Sequence, residues 1–273
     1  NSDILVIGDS FVEAMQVENK KTFHHLLSEK RLLKVYSIAH SSSQLAQYYK
    51  YAEWGVAEFN PKLIIYNIIP NDYLDSLWWP GKYNFDLEKS EVILNEDSKT
   101  SVKSRLKKIL KQSSLARYLL LNFDLESRIR WILTNKKDRN YIGNSPINVS
   151  DEEIIKAKKV VDLFINLNKK FLDKNINILL VFDGFRDEIY NNRYDSDEIL
   201  NSYPYQIKQY FISKSSENQV FNIDLQYYFL KDYLINKEKF EFKEDFHWNE
   251  RGHKIVFEAI DSKLTKDISI LND

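Results

Sequence analysis

Three short polar clusters in the chain have the residue types for nucleophilic chemistry. Gly8-Asp9-Ser10 follows one apolar run, Pro70-Asn71-Asp72 closes another, and Glu244-Asp245-Phe246-His247-Trp248-Asn249 precedes the last helical pattern. The chain has no cysteine, which excludes thiol nucleophiles, disulfides and CxxC zinc sites, so a serine must carry any such covalent step. Ser10 stands at a tight strand-to-helix turn, where backbone amides and the helix dipole favour a hydroxyl whose attack creates a negative oxygen. Taken alone, the same residue could be only a helix cap. His247 has an acid two residues earlier, Asp245, able to hold an imidazole in its base tautomer. The Asn71 side chain is able to donate to a developing oxyanion, or else it forms only a turn with Asp72. Of the remaining histidines, His253 shares a helical stripe with Val256, Phe257 and Ile260 and reads as a core-edge residue. His24 and His25 have no acid partner in sequence, and His40 follows the second strand, where it could line a crevice.

An open α/β sheet would bring these clusters together, because its ligands bind beyond the carboxyl ends of the strands. Five apolar runs have the length and β-branched content of buried parallel strands: residues 4–7, 35–39, 63–69, 176–182 and 220–225. Helical patterns over 11–30, 44–59, 151–174 and 251–264 separate or follow them. Ser150-Asp151-Glu152-Glu153 has the form of a capping box, and Asn249 is the expected cap of the last helix. The expectation is a single α/β domain over 1–273, a three-layer α/β/α sandwich with about five parallel strands. A helical insertion over 73–149 follows the third strand. Within it Val102, Leu106, Ile109, Leu110 and Leu120 mark an apolar stripe, with Lys103, Lys107 and Lys111 along the polar face. Such a helix suits a lid, a membrane surface, or simply a solvated face.

Composition narrows the function further. Only 6 of 273 residues are glycine, far below the usual roughly 7%, and neither GxGxxG nor GxxxxGK[ST] occurs, so nucleotide-driven chemistry is not expected. No metal or cofactor is implied. Lysine and arginine total 39 against 40 acids, a net charge of −1, so no global field gathers nucleic acid. The balance is uneven, because residues 103–139 hold eleven basic and three acidic residues (+8), leaving −9 elsewhere. No apolar run is long enough to span a membrane. The chain opens Asn1-Ser2-Asp3 and enters a strand at once, from which we expect a removed upstream segment, membrane proximity, and a cell-envelope, periplasmic or extracellular location rather than a cytoplasmic one. Nothing in the composition sets an oligomeric state.

Together, Gly8-Asp9-Ser10 after the first strand, Asn71-Asp72 after the third, and Asp245-x-His247-Trp248-Asn249-x-x-Gly252 before the last helix resemble the SGNH, or GDSL-type, hydrolase superfamily over nearly the whole chain. The resemblance implies a flavodoxin-like sheet in which Ser10 attacks an ester carbonyl, His247 is the base and Asp245 orients it. It also implies an oxyanion hole made by the amide of Ser10, the Asn71 side chain and a second-block residue. That residue is usually glycine; here the loop reads Ala39-His40-Ser41-Ser42-Ser43, and Ser42 aligns best. The third block, usually Gly-x-Asn-Asp, is Ile69-Pro70-Asn71-Asp72. The common last block, Asp-x-x-His, would select Glu244 as the acid. The Asp-x-His-Trp-Asn form, similar to the branch associated with polysaccharide O-acetylation, selects Asp245. The implied activity is acyl transfer through a Ser10 ester, from a glycan or small ester, to water or a sugar hydroxyl. Asp9, His40, Tyr73, Trp78, Trp79 and Trp248 are candidate substrate contacts, with Tyr73, Trp78 and Trp79 as stacking faces for sugar or, for Trp78 and Trp79, anchors of the insertion against the core. The reading from a different class is a non-catalytic glycan-binding or scaffold module on the same fold, motivated by the missing glycines.

Overall fold

Alternation within the strands decides the layering. The computed structural model describes residues 1–78, 81–95, 141–142, 145–243 and 245–267. Its central sheet holds β1 (Ile4–Gly8), β2 (Val35–Ala39), β3 (Leu63–Ile68), β8 (Asn177–Phe182) and β9 (Phe221–Asp224), all parallel, in the order β2-β1-β3-β8-β9. Leu5, Ile7, Ile64, Tyr66, Leu180 and Phe182 point into one core, while Ile4, Val6, Leu63, Ile65, Leu179 and Val181 point into the other. Apolar residues facing both sides of the sheet therefore require cover on both faces, and helices supply it. Helices α3 (Leu45–Phe59), α5 (Asp151–Leu172) and α8 (Tyr203–Glu217) cover the first. Helices α2 (Phe23–Arg31), α9 (Leu225–Asn236) and α10 (Glu250–Asp267) cover the second. Each fully buried Leu, Ile or Phe in these layers contributes about 1.5–3 kcal/mol of transfer free energy.

The five expected strands, the three-layer architecture and the flavodoxin-like order are as the sequence predicts, with strand ends shifted by a residue or so. At α5 the capping box forms: the Ser150 hydroxyl accepts from the Glu153 amide at 3.3 Å, and the Glu153 carboxylate accepts from the Ser150 amide at 2.8 Å. The single helix expected over 11–30 does not form. Instead α1 (Ser10–Glu13) stops at Ala14, whose φ of 48° is left-handed, and a 3-10 turn (Asn19–Lys21) leads into α2. No residue from 15 to 20 is buried, so no packing holds a continuous helix together there.

The expected insertion has its middle outside the described residues, and with it the basic stretch 103–139 and the apolar stripe. Its described flanks are α4 (Asp72–Trp78), an antiparallel ribbon of β4 (Tyr83–Asp86) with β5 (Glu91–Leu94), and a short ribbon of β6 (Tyr141–Ile142) with β7 (Ser145–Pro146). Helices α6 (Arg186–Tyr190) and α7 (Asp197–Leu200) follow β8. A last ribbon, β10 (Glu241–Phe242) with β11 (Asp245–Trp248), precedes α10. Among the described residues no helix is long and apolar enough to cross a membrane.

Candidate active site

Strand order reverses at β1, with β2 on one side and β3 on the other, so the loops after these strands flank one crevice. Ser10 opens α1 there. The turn needs a glycine at position 8, because a Cβ would stand 2.3 Å from Val12 Cγ2 and 3.3 Å from Asn67 Cβ. Asp9 is buried and caps the helix: its carboxylate accepts from the Phe11 amide at 3.0 Å, and its carbonyl from Val12 and Glu13 at 3.2 and 3.0 Å. These bonds satisfy three first-turn amides and leave the Ser10 N–H without a protein acceptor among the described residues.

The β10–β11 ribbon brings His247 to this turn. His247 Nε2 lies 2.7 Å from Ser10 Oγ although the two residues are 237 positions apart. Its Nδ1 meets Asp245 Oδ1, which also accepts the His247 backbone amide at 3.0 Å. The other Asp245 oxygen accepts from Gln16 Nε2 at 3.1 Å. Burial works to raise the Asp245 pKa, but the hydrogen bonds from His247 and Gln16 outweigh it and hold the carboxyl below its ordinary value. An ionised Asp245 fixes the proton on Nδ1 and leaves Nε2 free to accept from the serine hydroxyl. His247 lies in the strand β11, which runs into α10. There Asn249 caps the helix, accepting from the Gly252 amide at 3.0 Å. Gly252 has no room for a Cβ, which would meet the Phe240 carbonyl at 2.5 Å.

Other expected site residues fall in different places. Ser42 is exposed on the loop after β2, with φ at 64°, and Asn71 is half-buried at the turn between β3 and α4. His40 is exposed and its Nδ1 donates to the Ser41 carbonyl at 2.7 Å. Tyr73 and Trp248 are each 1% exposed, so neither ring is open to a ligand, and both expectations are corrected. Tyr73 packs edge-on against Phe211 in the first core, and Trp248 sends its indole N–H to Asp183 at 3.2 Å. Asp9, occupied as a cap, is corrected from substrate contact to turn former. Trp79, the Trp78 side chain and Glu244 lie outside the described residues. His253 is buried, stacked on Phe23 with ring centroids 5.9 Å apart. Among the described residues no group of three or more His, Asp or Glu side chains could hold a metal ion.

Three residues that the sequence reading passed over stand at the site. Gln16 braces Asp245, as above. Glu13 accepts from the amide and hydroxyl of Ser41 at 2.9 and 2.5 Å. Arg186 joins the ribbon to the sheet: its guanidinium donates to Asp183 at 3.2 Å, Glu241 at 3.3 Å and the Phe246 carbonyl at 2.9 Å, and lies over the Phe11 ring. Beside it a cleft opens, walled by Phe11, Pro70, Phe185 and Phe246, with Asp187 and Glu241 on its polar side. Phe11 ties this cleft to the site, its ring centroid 4.8 Å from that of His247.

The geometry allows a serine hydroxyl to lose its proton to an oriented imidazole at the mouth of a partly apolar cleft. A search of curated proteins found no match. Among solved structures, the acetyl xylan esterase AlAXEase is similar at a TM-score of 0.55 and 13% identity, covering 96% of this chain and 99% of that one. The psychrotrophic esterase EstA from Pseudoalteromonas sp. gives 0.52 at 10% identity, over 98% and 100% of the two chains. A member of the lipolytic protein G-D-S-L family from Veillonella parvula DSM 2008 gives 0.51 at 11%, over 96% and 98%. At such identities the likeness is one of fold. The family model for GDSL-like lipases and acylhydrolases matches residues 4–260, and the chain belongs to that family of ester hydrolases.

Proposed function

We propose that the protein is a serine esterase that removes acetyl groups from an O-acetylated glycan. The observation that carries the reading is the 2.7 Å contact between Ser10 Oγ and His247 Nε2, with Asp245 behind the imidazole. Ser10 Oγ attacks the ester carbonyl carbon as its proton passes to His247 Nε2. The carbonyl oxygen becomes an oxyanion facing the Ser10 and Ser42 amides and the Asn71 side chain, each such donor being worth about 10²–10³ in rate. Collapse expels the sugar alkoxide, which takes the proton from His247 and leaves acetyl-Ser10. Water then gives a proton to His247, attacks the acyl carbon and releases acetate, and Ser10 recovers its hydrogen.

The glycan is supported by two things. The similar structures include acetyl xylan esterases, and the cleft pairs carboxylates with a Phe246 ring that is 55% exposed, a surface able to stack on a sugar while accepting from its hydroxyls. The test is to incubate the protein and Ser10→Ala with an aryl acetate and with acetylated xylan, with and without an unacetylated polysaccharide. Acetate release by the wild type and its loss in Ser10→Ala are expected. Turnover that survives in Ser10→Ala would sink the proposal, and acetylated acceptor in place of free acetate would make the enzyme a transferase.

A further inference from the structure

The loop after β2 lies beside the nucleophile's helix because Gly8 and Ala39 are paired at the ends of β1 and β2. In this loop Ser42 occupies the left-handed region that residues with a Cβ avoid, and nothing buries it there. Its conformation is held from outside. Glu13 Oε2 accepts from the Ser41 amide at 2.9 Å and from the Ser41 hydroxyl at 2.5 Å. On the other side of Ser41, its carbonyl accepts from His40 Nδ1 at 2.7 Å, and the Ser43 amide closes a turn onto the His40 carbonyl at 3.0 Å. The Ser41 carbonyl and the Ser42 N–H share one trans peptide plane and point opposite ways. Glu13 on the amide and hydroxyl of Ser41 and His40 on its carbonyl therefore hold this plane together and aim the N–H, which has no protein acceptor among the described residues. Glu13 itself lies three residues after Ser10 on the same short helix.

We propose that Glu13 is a positioning residue, a strut from the nucleophile's helix that holds Ser42 in a glycine-like conformation and turns its N–H toward the oxyanion formed at Ser10. The strut takes over what a glycine at position 42 would supply by its own backbone freedom. This inference rests on the reading of Ser10 as nucleophile. Its particular consequence is an energetic coupling between positions 13 and 42, two side chains of which neither need touch the substrate.

The experiment measures kcat and KM for an aryl acetate, and the rate of Ser10 labelling by an aryl phosphonate, in a double-mutant cycle. Glu13→Ala is expected to lower kcat and labelling about 10²-fold, the cost of one lost oxyanion donor, with KM within about threefold. With Ser42→Gly also present, the same Glu13→Ala step is expected to cost about tenfold or less, because glycine reaches the left-handed region unaided. Glu13→Gln, which keeps an oxygen to accept both bonds, should recover most of the rate. Glu13→Asp, one methylene too short, should lose rate as the alanine variant does in smaller measure, and carries the cycle if Glu13→Ala does not fold. An unchanged kcat in Glu13→Ala and Glu13→Asp, or a loss of equal size with and without Ser42→Gly, would overturn the proposal. Failure of the nucleophile reading looks different: the wild type itself would take no label at Ser10.

Discussion

Arg186 offers a perturbation whose size can be worked from the structure. Its side chain is 10% exposed and sits between Asp183, 3% exposed, and Glu241, 8% exposed, one positive charge against two negative ones. Replacement by methionine keeps much of the stem's packing and removes the guanidinium. Asp183 would keep the Gly184 amide at 2.8 Å and the Trp248 indole at 3.2 Å, and Glu241 the Tyr190 hydroxyl at 2.6 Å, but neither would keep a counter-charge as close. Breaking a buried pair in this way costs about 3–5 kcal/mol. The loss should depend on pH. Burial already raises the pKa of both carboxyls, and Arg186 pulls each back down. Without it their folded pKa values rise further above the unfolded ones, so the folded variant binds protons that the unfolded chain releases. Its stability deficit is then full at high pH and shrinks as pH falls through the raised values, by about 1.4 kcal/mol per unit of added shift. Urea unfolding of Arg186→Met and wild type at pH 8, 7, 6 and 5, followed by tryptophan fluorescence, reads the difference with other titrating groups cancelled. A deficit below about 1 kcal/mol at pH 8, or one unchanged at pH 5, would refute the assignment of Arg186 as the ion that makes this buried acid pair tolerable.

Two further perturbations test other parts of the site and its support. Asp245→Asn should reduce kcat by about 10⁴-fold, because the amide no longer enforces the Nδ1–H tautomer, while Glu244→Gln stays within about twofold; the opposite ranking in aryl acetate kinetics would move the acid to Glu244. Burial pushes the His24 and His253 pKa values down to about 4 and about 3, so the unfolded chain takes up protons near pH 6.5 that the folded chain refuses. Their contribution is therefore complete above pH 6.5 and declines as pH falls toward those values, and His253→Phe should flatten that acid limb in urea titrations from pH 7 to 4.5.

The sheet was legible because its strands are buried on both faces, so Ile4–Gly8, Leu63–Ile68 and Asn177–Phe182 stand out as β-branched runs with no polar alternation. Ser10, Asp245 and His247 each drew notice from local chemistry. No spacing rule relates residues 237 apart, and only the fold brings the first to the last. Tyr73 and Trp248 were misread for a physical reason. An aromatic residue beside a motif says nothing of which way its ring points, and here both rings fill cores. The broken helix after Ser10 escaped notice because its interruption lies in an unburied segment whose pattern mimics a continuing turn. Glu13, Gln16 and Arg186 look like ordinary surface polar residues in sequence; each acquires meaning from a contact with a distant segment, at Ser41, Asp245 and Phe246.

The central claim is that Ser10 becomes acylated, and trapping that ester tests it most directly. The protein would be mixed with p-nitrophenyl acetate, quenched in acid within the first turnover, digested and mapped by mass spectrometry. The account predicts an acetyl group on Ser10 that disappears from a chase with buffer and is absent from Ser10→Ala. Turnover without any acetyl-protein, an acetyl group mapped to another residue, or a Ser10→Ala enzyme that keeps its rate would contradict it.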